Sequence, residues 1–324
     1  MISILGFRII IAETSIFDKK LMILEEHIVN IQKLYEASLK HKNKTIISLH
    51  YKLNKGIVNL FYPIFGKCNQ GINPNSRVII SLTSYPARIN TIYLTITTLL
   101  NQTVQPGKVM LWLAEEQFPN GEKDLPSKLL KLKEKGLTIK FCDDLRSHKK
   151  YYYTMKENPE AYVITVDDDI FYPENLVELL MATSDKYPDT VVCTWGHEFV
   201  PDENGDVYSA DKWKYSKDGT CPSFTLIPTG VGGVLYPPHC LSEKVFDKAT
   251  INDCCLNADD LWLKAMALLN NKKAVRVNRP AKVYFSILKT QKTGLFYSNA
   301  LENKNSVAWR NIVEKYPLIR KKLV

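Results

Sequence analysis

The chain has 324 residues, of which 45% are hydrophobic and 24% are charged, so it has ample length for a buried core. No apolar run reaches the length of a membrane-spanning helix, and the first twelve residues lack the basic start and cleavage site of a signal peptide. The seven cysteines are irregularly spaced and form no Cys-x-x-Cys pair, which argues against a structural zinc site. We therefore expect a cytoplasmic protein in a reducing environment.

The formal net charge of +9 is unevenly distributed along the chain. Residues 1–72 hold 10 Lys and Arg against 5 Asp and Glu, and residues 270–324 hold 13 against 2, whereas the middle holds 20 against 27. An acidic middle argues against a nucleic-acid groove. The basic flanks suit contact with anionic lipid headgroups or a polyphosphate partner, and equally suit an ordinary solvated surface, so both interpretations stay open.

The first part of the chain is predicted to be an appendage. Residues 20–40 place apolar side chains at spacings of three and four, which predicts one amphipathic helix. Residues 45–65 are apolar and aromatic, and the polar stretch 66–76 is rich in Asn, Gly and Pro, which is typical of a linker. We assign residues 1–72 to an N-terminal, mostly helical extension.

From Arg77 onward, apolar strands alternate with helical patterns. Such alternation predicts a parallel sheet with right-handed crossovers. A strand at 191–195, a glycine-rich segment at 228–238 and a helix at 261–269 follow. The predicted earlier strands lie at 78–82, 108–113, 137–141 and 161–166, and the predicted helices at 89–100, 125–135 and 147–160.

Three consecutive acids follow the strand at 161–166: Asp167, Asp168 and Asp169. In open α/β sheets, ligands bind outside the carboxyl ends of the strands. Three neighbouring carboxylates repel one another, and a cation among them relieves the repulsion. The run therefore predicts a hard divalent ion, Mn²⁺ or Mg²⁺, that carries a phosphorylated ligand. A solvated acidic turn is the alternative.

A second acidic pair, Asp259 and Asp260, opens the helix at 261–269. Acids at a helix start are often simple caps, which explains one acid better than two. The glycine-rich segment before them, 228–238, fits neither a dinucleotide-binding fingerprint nor a P-loop. Its glycines indicate either a close backbone approach or a mobile loop.

These features, in this order, resemble the GT-A fold glycosyltransferases, in particular the family 2 type of bacterial surface-polysaccharide synthesis. The resemblance covers Arg77 to about Leu269, and it implies an α/β fold with a Rossmann-like, mostly parallel central sheet and flanking helices. It places the transferase domain at 73–285, with extensions at 1–72 and 286–324. Four ordered features carry it: the strand and turn Val78–Arg88, the pair Asp143-Asp144, the run Asp167–Asp169, and Ala258-Asp259-Asp260.

The resemblance implies a role for each candidate site residue. Asp169 would bind the metal directly, with Asp167 as an accessory ligand. Asp260 would be the general base for an inverting transfer, with Asp259 as second choice. The acceptor would meet Gly230, Gly232 and Gly233. Trp262 would stack on a face of the acceptor sugar, although a Trp at helix spacing is more often a core residue. The nucleotide sugar would meet Thr83, Tyr85, Arg88, Asp143, Lys149, Lys150, Asp167 and Asp168.

One departure from the family is visible in the sequence. Many relatives supply a late histidine as a further metal ligand, whereas the last histidine here is His239, ahead of the proposed base. The sequence therefore leaves the rest of the metal shell unassigned.

The expected activity is metal-dependent, inverting transfer of a sugar from a nucleotide-diphosphate sugar, a UDP-sugar, to a glycan or lipid-linked oligosaccharide. A retaining transferase on the same fold and a non-catalytic carbohydrate-binding protein stay open. A nucleotidyltransferase is disfavoured because the turn Thr83–Arg88 lacks glycine.

The C-terminal segment Trp309–Val324 is predicted to be a basic amphipathic helix that contacts the cytosolic face of the membrane. Pro317 within it argues against a continuous helix. Its apolar residues are Ile312, Leu318 and Ile319, set against Lys315, Arg320, Lys321 and Lys322.

Overall fold

The computed structural model describes residues 2–4, 7–9, 44–200, 214–215, 221–277, 284–288, 290 and 304–323. The helix predicted at 20–40 lies outside the described residues. Strands, in chain order, are β1 Ile2–Ile4, β2 Phe7–Ile9, β3 Val78–Thr83, β4 Lys108–Ala114, β5 Leu137–Cys142, β6 Tyr162–Thr165, β7 Ile170–Phe171, β8 Val191–Cys193, β9 Gly196–Glu198, β10 Lys214–Tyr215, β11 Leu226–Pro228, β12 Val234–Tyr236, β13 Ala274–Arg276 and β14 Phe285–Ser286.

The longer helices are α1 Lys44–Phe65, α2 Ile92–Leu99, α3 Lys149–Glu157, α4 Leu176–Lys186, α5 Asp259–Leu269 and α6 Lys304–Lys315. Single α-helical turns occur at Ser127–Leu130, Lys248–Thr250 and Arg320–Leu323, and a π-helical turn at Ile251–Cys255. Short 3-10 segments occur at Glu115–Gln117, Gly121–Asp124, Lys131–Lys135, Arg146–His148, Gly230–Gly232, Glu243–Phe246 and Pro317–Ile319.

A seven-stranded sheet forms the centre of the fold, in the order β13-β8-β12-β6-β3-β4-β5. All neighbouring pairs are parallel except the two that β12 makes, with β6 and with β8. Strand residues such as Ile80, Leu111 and Ile164 are fully buried because apolar layers cover the sheet. The predicted α/β fold with a mostly parallel central sheet is therefore confirmed.

Strand direction decides which loops meet. Because β3, β4, β5 and β6 are parallel, their carboxyl ends lie along one edge of the sheet. β12 runs the other way, and its first residue Val234 pairs with Thr165 at the end of β6. The glycine-rich segment that precedes β12 therefore arrives at the edge where the acid run follows β6.

The predicted helix at 125–135 is wrong in type. One α-helical turn, Ser127–Leu130, passes into the 3-10 segment Lys131–Lys135. Its two buried side chains, Leu129 and Leu132, are three residues apart, a spacing that 3-10 geometry places on one face. The predicted stop is confirmed, because Gly136 caps the segment with a φ of +105°, in the left-handed region that favours glycine.

The C-terminal segment is not one helix with a free apolar face. α6 ends at Lys315, and Pro317 begins a 3-10 turn. Ile312 and Ile319 are fully buried in the main core together with Trp309, whereas Leu318 is exposed. Two of the three apolar side chains assigned to a membrane therefore stabilise the fold instead.

None of the helices in the described parts of the chain has both the length and the apolarity to span a membrane. The predicted domain boundaries at residues 72 and 285 stay predictions.

Candidate functional site

A buried lysine lies among three acids at the edge of the sheet where the parallel strands end. Lys150 Nζ lies 3.1 Å from Asp167 Oδ1 and 2.8 Å from Asp259 Oδ2. Asp260 reaches the same place, because both its carboxylate oxygens accept from the Gly230 N–H, at 3.2 and 3.1 Å. A Cβ atom built on Gly230 would lie 2.8 Å from Lys150 Nζ and 3.1 Å from Asp260 Oδ1. We call these five residues the Lys150 cluster.

Four separate segments supply the Lys150 cluster. The antiparallel pairing of β12 with β6 brings the glycine-rich segment to the acid run, and α5 packs against β11, which enters that segment. The lysine lies in the first turn of α3, Asp167 follows β6, Gly230 lies between β11 and β12, and the acidic pair opens α5. Residues up to 110 positions apart in sequence therefore share one site.

Asp259 and Asp260 are neighbours in the cluster, but their pKa values are shifted in opposite directions. Burial alone would lower the pKa of Lys150, but the three carboxylates around it raise the pKa well above its ordinary value. Burial would likewise raise the pKa of Asp259, but the ammonium beside it lowers that pKa below its ordinary value. The pKa of Asp260 is raised, first by burial and then by the charge on Asp259. One acid is thus held ionised while its neighbour takes up a proton readily.

The other two acids of the run belong to a second network, centred on Arg88. The guanidinium donates from Nη1 to Asp168 Oδ1 at 2.5 Å, and its Nη2 lies 3.2 Å from Asp169 Oδ2. Ser84 Oγ donates to Asp168 Oδ2 at 2.5 Å, and Thr290 Oγ1 lies 3.5 Å from Asp169. Burial raises the pKa of Asp169 to about 7, against the opposing effect of Arg88. The structure thus places Arg88 as a partner of the acid run.

Within the described residues, no three acidic, histidine or cysteine side chains converge as a metal-ligand set. The two expected ligands, Asp167 and Asp169, face different cations, Lys150 and Arg88. A divalent ion such as Mg²⁺ is often held by one or two carboxylates together with substrate phosphates. Asp167 and Asp169 do not form a complete cage, and an ion held by them would need further oxygen ligands, such as those of a bound phosphate.

The acid pair after β5 lies outside the Lys150 cluster. Asp143 is exposed and pairs with Lys248, which sequence reasoning did not identify. Asp144 is nearly buried and pairs with Lys149, the lysine adjacent to Lys150. Lys149 and Lys150, the first two residues of α3, therefore pair with different acids, and of the two only Lys150 belongs to the cluster.

Thr83 and Tyr85 lie at the carboxyl end of β3, at the same edge of the sheet. Thr83 Oγ1 donates to the Trp112 backbone oxygen at 2.8 Å, and the Tyr85 ring lies 5.5 Å from the Arg88 guanidinium carbon. Their contact with a nucleotide stays a prediction.

Trp262 was expected to contact an acceptor, and this expectation is wrong. Its side chain is fully buried, and its indole N–H donates to the Val245 backbone oxygen at 3.1 Å. The residue follows the acidic pair on α5, but the helix turns it inward, to the core packed beneath the cluster. A fully buried ring has no face left for a sugar.

Two of the three glycines assigned to the acceptor have structural roles instead. A Cβ on Gly232 would lie 2.4 Å from Thr194 Oγ1, and Gly232 O accepts from that hydroxyl at 2.6 Å. Gly233 has a φ of +91°, and a Cβ there would meet Leu176 at 3.1 Å. Only Gly230 faces the Lys150 cluster.

Tyr172 connects the acid run to the glycine-rich segment, and sequence reasoning missed it. Its hydroxyl accepts from the Asp167 N–H at 2.9 Å and donates to the Val231 oxygen at 3.0 Å. Ser84 was missed too, although it lies inside the turn singled out after the first strand of the sheet. Both are ordinary polar or aromatic residues, and nothing in the local sequence marks them as bridging groups.

No protein-family model and no curated protein matches the chain. Among solved structures, it is similar to S. aureus TarS 1-349 in complex with UDP, with a TM-score of 0.43, 13% identity and alignment over 74% of this chain. A second structure of S. aureus TarS 1-349 aligns with a TM-score of 0.40 and 14% identity, over 74% of this chain and 71% of that chain. The chain spans 64% of the first TarS structure, which is less than two thirds of its length.

Proposed function

We propose that the protein is a metal-dependent, inverting glycosyltransferase that takes its sugar from a nucleotide-diphosphate sugar, a UDP-sugar. The acceptor is a glycan or a lipid-linked oligosaccharide of a surface polysaccharide. One observation carries the proposal: Asp167 from the acid run, the acidic pair and Gly230 meet at a single buried lysine. Such a convergence suits a reaction in which one acid accepts a proton beside a bound diphosphate.

Asp260 is the proposed general base. An efficient general base has a pKa near the working pH. Burial raises the pKa of the Asp260 carboxyl towards that range. As the acceptor oxygen bonds to the anomeric carbon, its proton passes to the Asp260 carboxylate. The bond from that carbon to the diphosphate oxygen breaks, and its electron pair leaves with the nucleoside diphosphate. Attack from the face opposite the leaving group inverts the anomeric centre.

Asp169 and Asp167 are the proposed residues for Mn²⁺ or Mg²⁺, with donor phosphates completing the shell. When bound, the ion neutralises the charge that develops on the leaving diphosphate. The chain's own contribution is to hold these two carboxylates two residues apart, each facing one cation, Lys150 or Arg88.

A panel of nucleotide sugars tests the proposal through hydrolysis in the absence of acceptor. We expect release of nucleoside diphosphate from one donor, loss of that release in a chelator, and recovery with Mn²⁺ or Mg²⁺. Asp169→Ala should abolish both release and metal-dependent nucleotide binding while the circular-dichroism spectrum is retained.

Two results would contradict parts of the proposal. Full activity in the presence of a chelator would show that the reaction needs no metal ion. A product with the anomeric configuration of the donor would show that the enzyme is a retaining transferase. No hydrolysis and no nucleotide binding across the panel would favour a non-catalytic carbohydrate-binding protein.

A further inference from the structure

Helix α1 carries an exposed apolar stripe. Its large side chains Leu49, Leu53, Leu60 and Ile64 are 66%, 43%, 62% and 67% exposed. The intervals of four, seven and four residues place all of them on one side of a helix. Exposed apolar residues are normal when scattered, whereas a contiguous stripe marks an interaction surface.

The opposite side of α1 already fixes the helix to the fold. Val58 and Tyr62 are buried there, in a small core with Phe171 and Phe285. The Tyr62 and Phe171 rings pack edge to face, with centroids 5.2 Å apart. Since this face anchors α1, the exposed stripe is not needed to place the helix.

The charge around the stripe selects its partner. The 22-residue helix contains no acid, and Lys52 is exposed beside the stripe, whereas Lys55 Nζ donates to Ser286 Oγ at 2.6 Å. In a symmetric dimer the patch would meet itself, so positive charge would face positive charge with no acid on α1 to offset it. Anionic lipid headgroups complement lysines, while the acyl boundary accepts the leucines.

We propose that α1 docks on an anionic membrane surface, in the plane of the interface, through Leu49, Leu53, Leu60 and Ile64, with Lys52 at the headgroups. The inference rests on α1 itself and does not require that sugar transfer be the activity.

Hydrogen bonds join α1 to the acid run, so a docked surface would hold the site beside the membrane. Asn59 on α1 accepts from the Leu288 N–H at 2.7 Å through its Oδ1. The preceding residue, Ile287, donates its N–H to the Asp169 backbone oxygen at 2.8 Å. Helix α1 is thus connected to the acid run by three short steps.

Sedimentation of the full-length protein with vesicles tests the inference. We expect binding to phosphatidylcholine vesicles that contain phosphatidylglycerol, weaker binding to phosphatidylcholine alone, and weaker binding in high salt. Leu60→Gln should weaken binding about tenfold, because it removes one leucine from the apolar contact. Lys52→Gln should weaken binding only to the anionic vesicles.

Leu318→Gln is the matched control, because Leu318 in the C-terminal segment is 63% exposed, almost as exposed as Leu60. It should leave vesicle binding unchanged. Equal losses in both variants, or no binding to either vesicle by a folded wild-type protein, would overturn the inference.

Two further outcomes assign the stripe to a different partner, and each overturns the membrane proposal. A dimer in solution that Leu60→Gln converts to a monomer would make the partner a second copy. A large fall in melting temperature for Leu60→Gln without any change in vesicle binding would mean that the chain itself covers the stripe.

Discussion

Lys150 is a positioning residue in the proposed site. Its contact with the phosphates of the donor, which the family resemblance implies, stays a prediction. Its ammonium is buried and faces Asp167 and Asp259. A buried cation of this kind keeps neighbouring carboxylates ionised, and breaking such a group by removing one member leaves uncompensated charge. The residue therefore tunes the acids as well as holding them together.

The general base gives the first prediction. Asp260→Asn keeps an oxygen that can accept from the Gly230 N–H but removes the proton acceptor, so kcat should fall by about 10³ while donor binding changes little. Single-turnover rates and donor titration by calorimetry separate these effects. If donor affinity collapses along with the rate, Asp260 is a binding residue.

The pH profile follows from the direction of the Asp260 pKa shift. The base acts when deprotonated, so kcat/KM should fall as the pH is lowered through a midpoint well above the ordinary range of a carboxylic acid.

Replacing the cation is the second prediction. Lys150→Met removes the positive charge that favours ionised acids, so the midpoint of the kcat/KM profile should move to higher pH, and the maximal rate should fall. The matched control is Lys149→Met, since this neighbouring buried lysine pairs with Asp144, outside the cluster. A midpoint that moves equally in both variants would refute the specific role of Lys150.

Among the elements, the glycine-rich segment contains three glycines with different structural roles. Gly232 and Gly233 allow close packing against Thr194 and Leu176, whereas Gly230 leaves space for the ends of charged side chains. Three glycines that look alike in sequence therefore differ in what a methyl group would displace.

The third prediction uses that difference. Gly230→Ala should lower activity at least tenfold with little loss of stability, since its Cβ would push on the flexible end of Lys150 at 2.8 Å and on Asp260 at 3.1 Å. Thermal melting and kcat/KM give the two readouts. The contrast is Gly56→Ala in exposed α1, where no atom lies within 4 Å, so the helix should gain about 0.5–1 kcal/mol at unchanged activity.

At the scale of the whole molecule, Lys264 is a third buried lysine, besides Lys149 and Lys150, and it forms no ion pair within the described residues. Lys264 lies one turn beyond Asp260 on α5, and its Nζ has no hydrogen-bond partner among the described residues. Burial lowers the pKa of its ammonium to about 7 from the ordinary 10.5. Between these values the unfolded chain holds more protons than the folded one, so stability should rise with pH.

The fourth prediction follows from the free-energy cost of burying the Lys264 ammonium. Lys264→Met should raise the free energy of unfolding at pH 7 by about 1–3 kcal/mol and flatten its rise between pH 7 and 10. Urea denaturation at several pH values measures both. Lys131→Met, at an exposed lysine, should leave the pH slope as in the wild type. A destabilised Lys264→Met protein would mean that the ammonium has a stabilising partner in solution.

Local patterns predicted the longer strands and helices of the central fold, but they did not predict short strands such as Gly196–Glu198 and Val234–Tyr236. Buried strands such as Val78–Thr83 and Tyr162–Thr165 show as β-branched apolar runs, and α5 shows by its acidic start and apolar spacing, because strand and helix periodicities repeat over a few residues. Helix type was harder to predict, as residues 131–135 show, since a single turn contains little periodic signal.

The sequence by itself determined the alternation of strands and helices and the presence of acids at strand and helix ends, because these depend on near neighbours. Only the tertiary structure decided that Arg88 faces Asp168, that Lys150 and not Lys149 meets the acidic pair, and that Trp262 is core. These contacts depend on the position of β12, which lies antiparallel between β6 and β8, and on which side of each helix packs inward. Contacts between residues a hundred positions apart set both, and no local pattern encodes them.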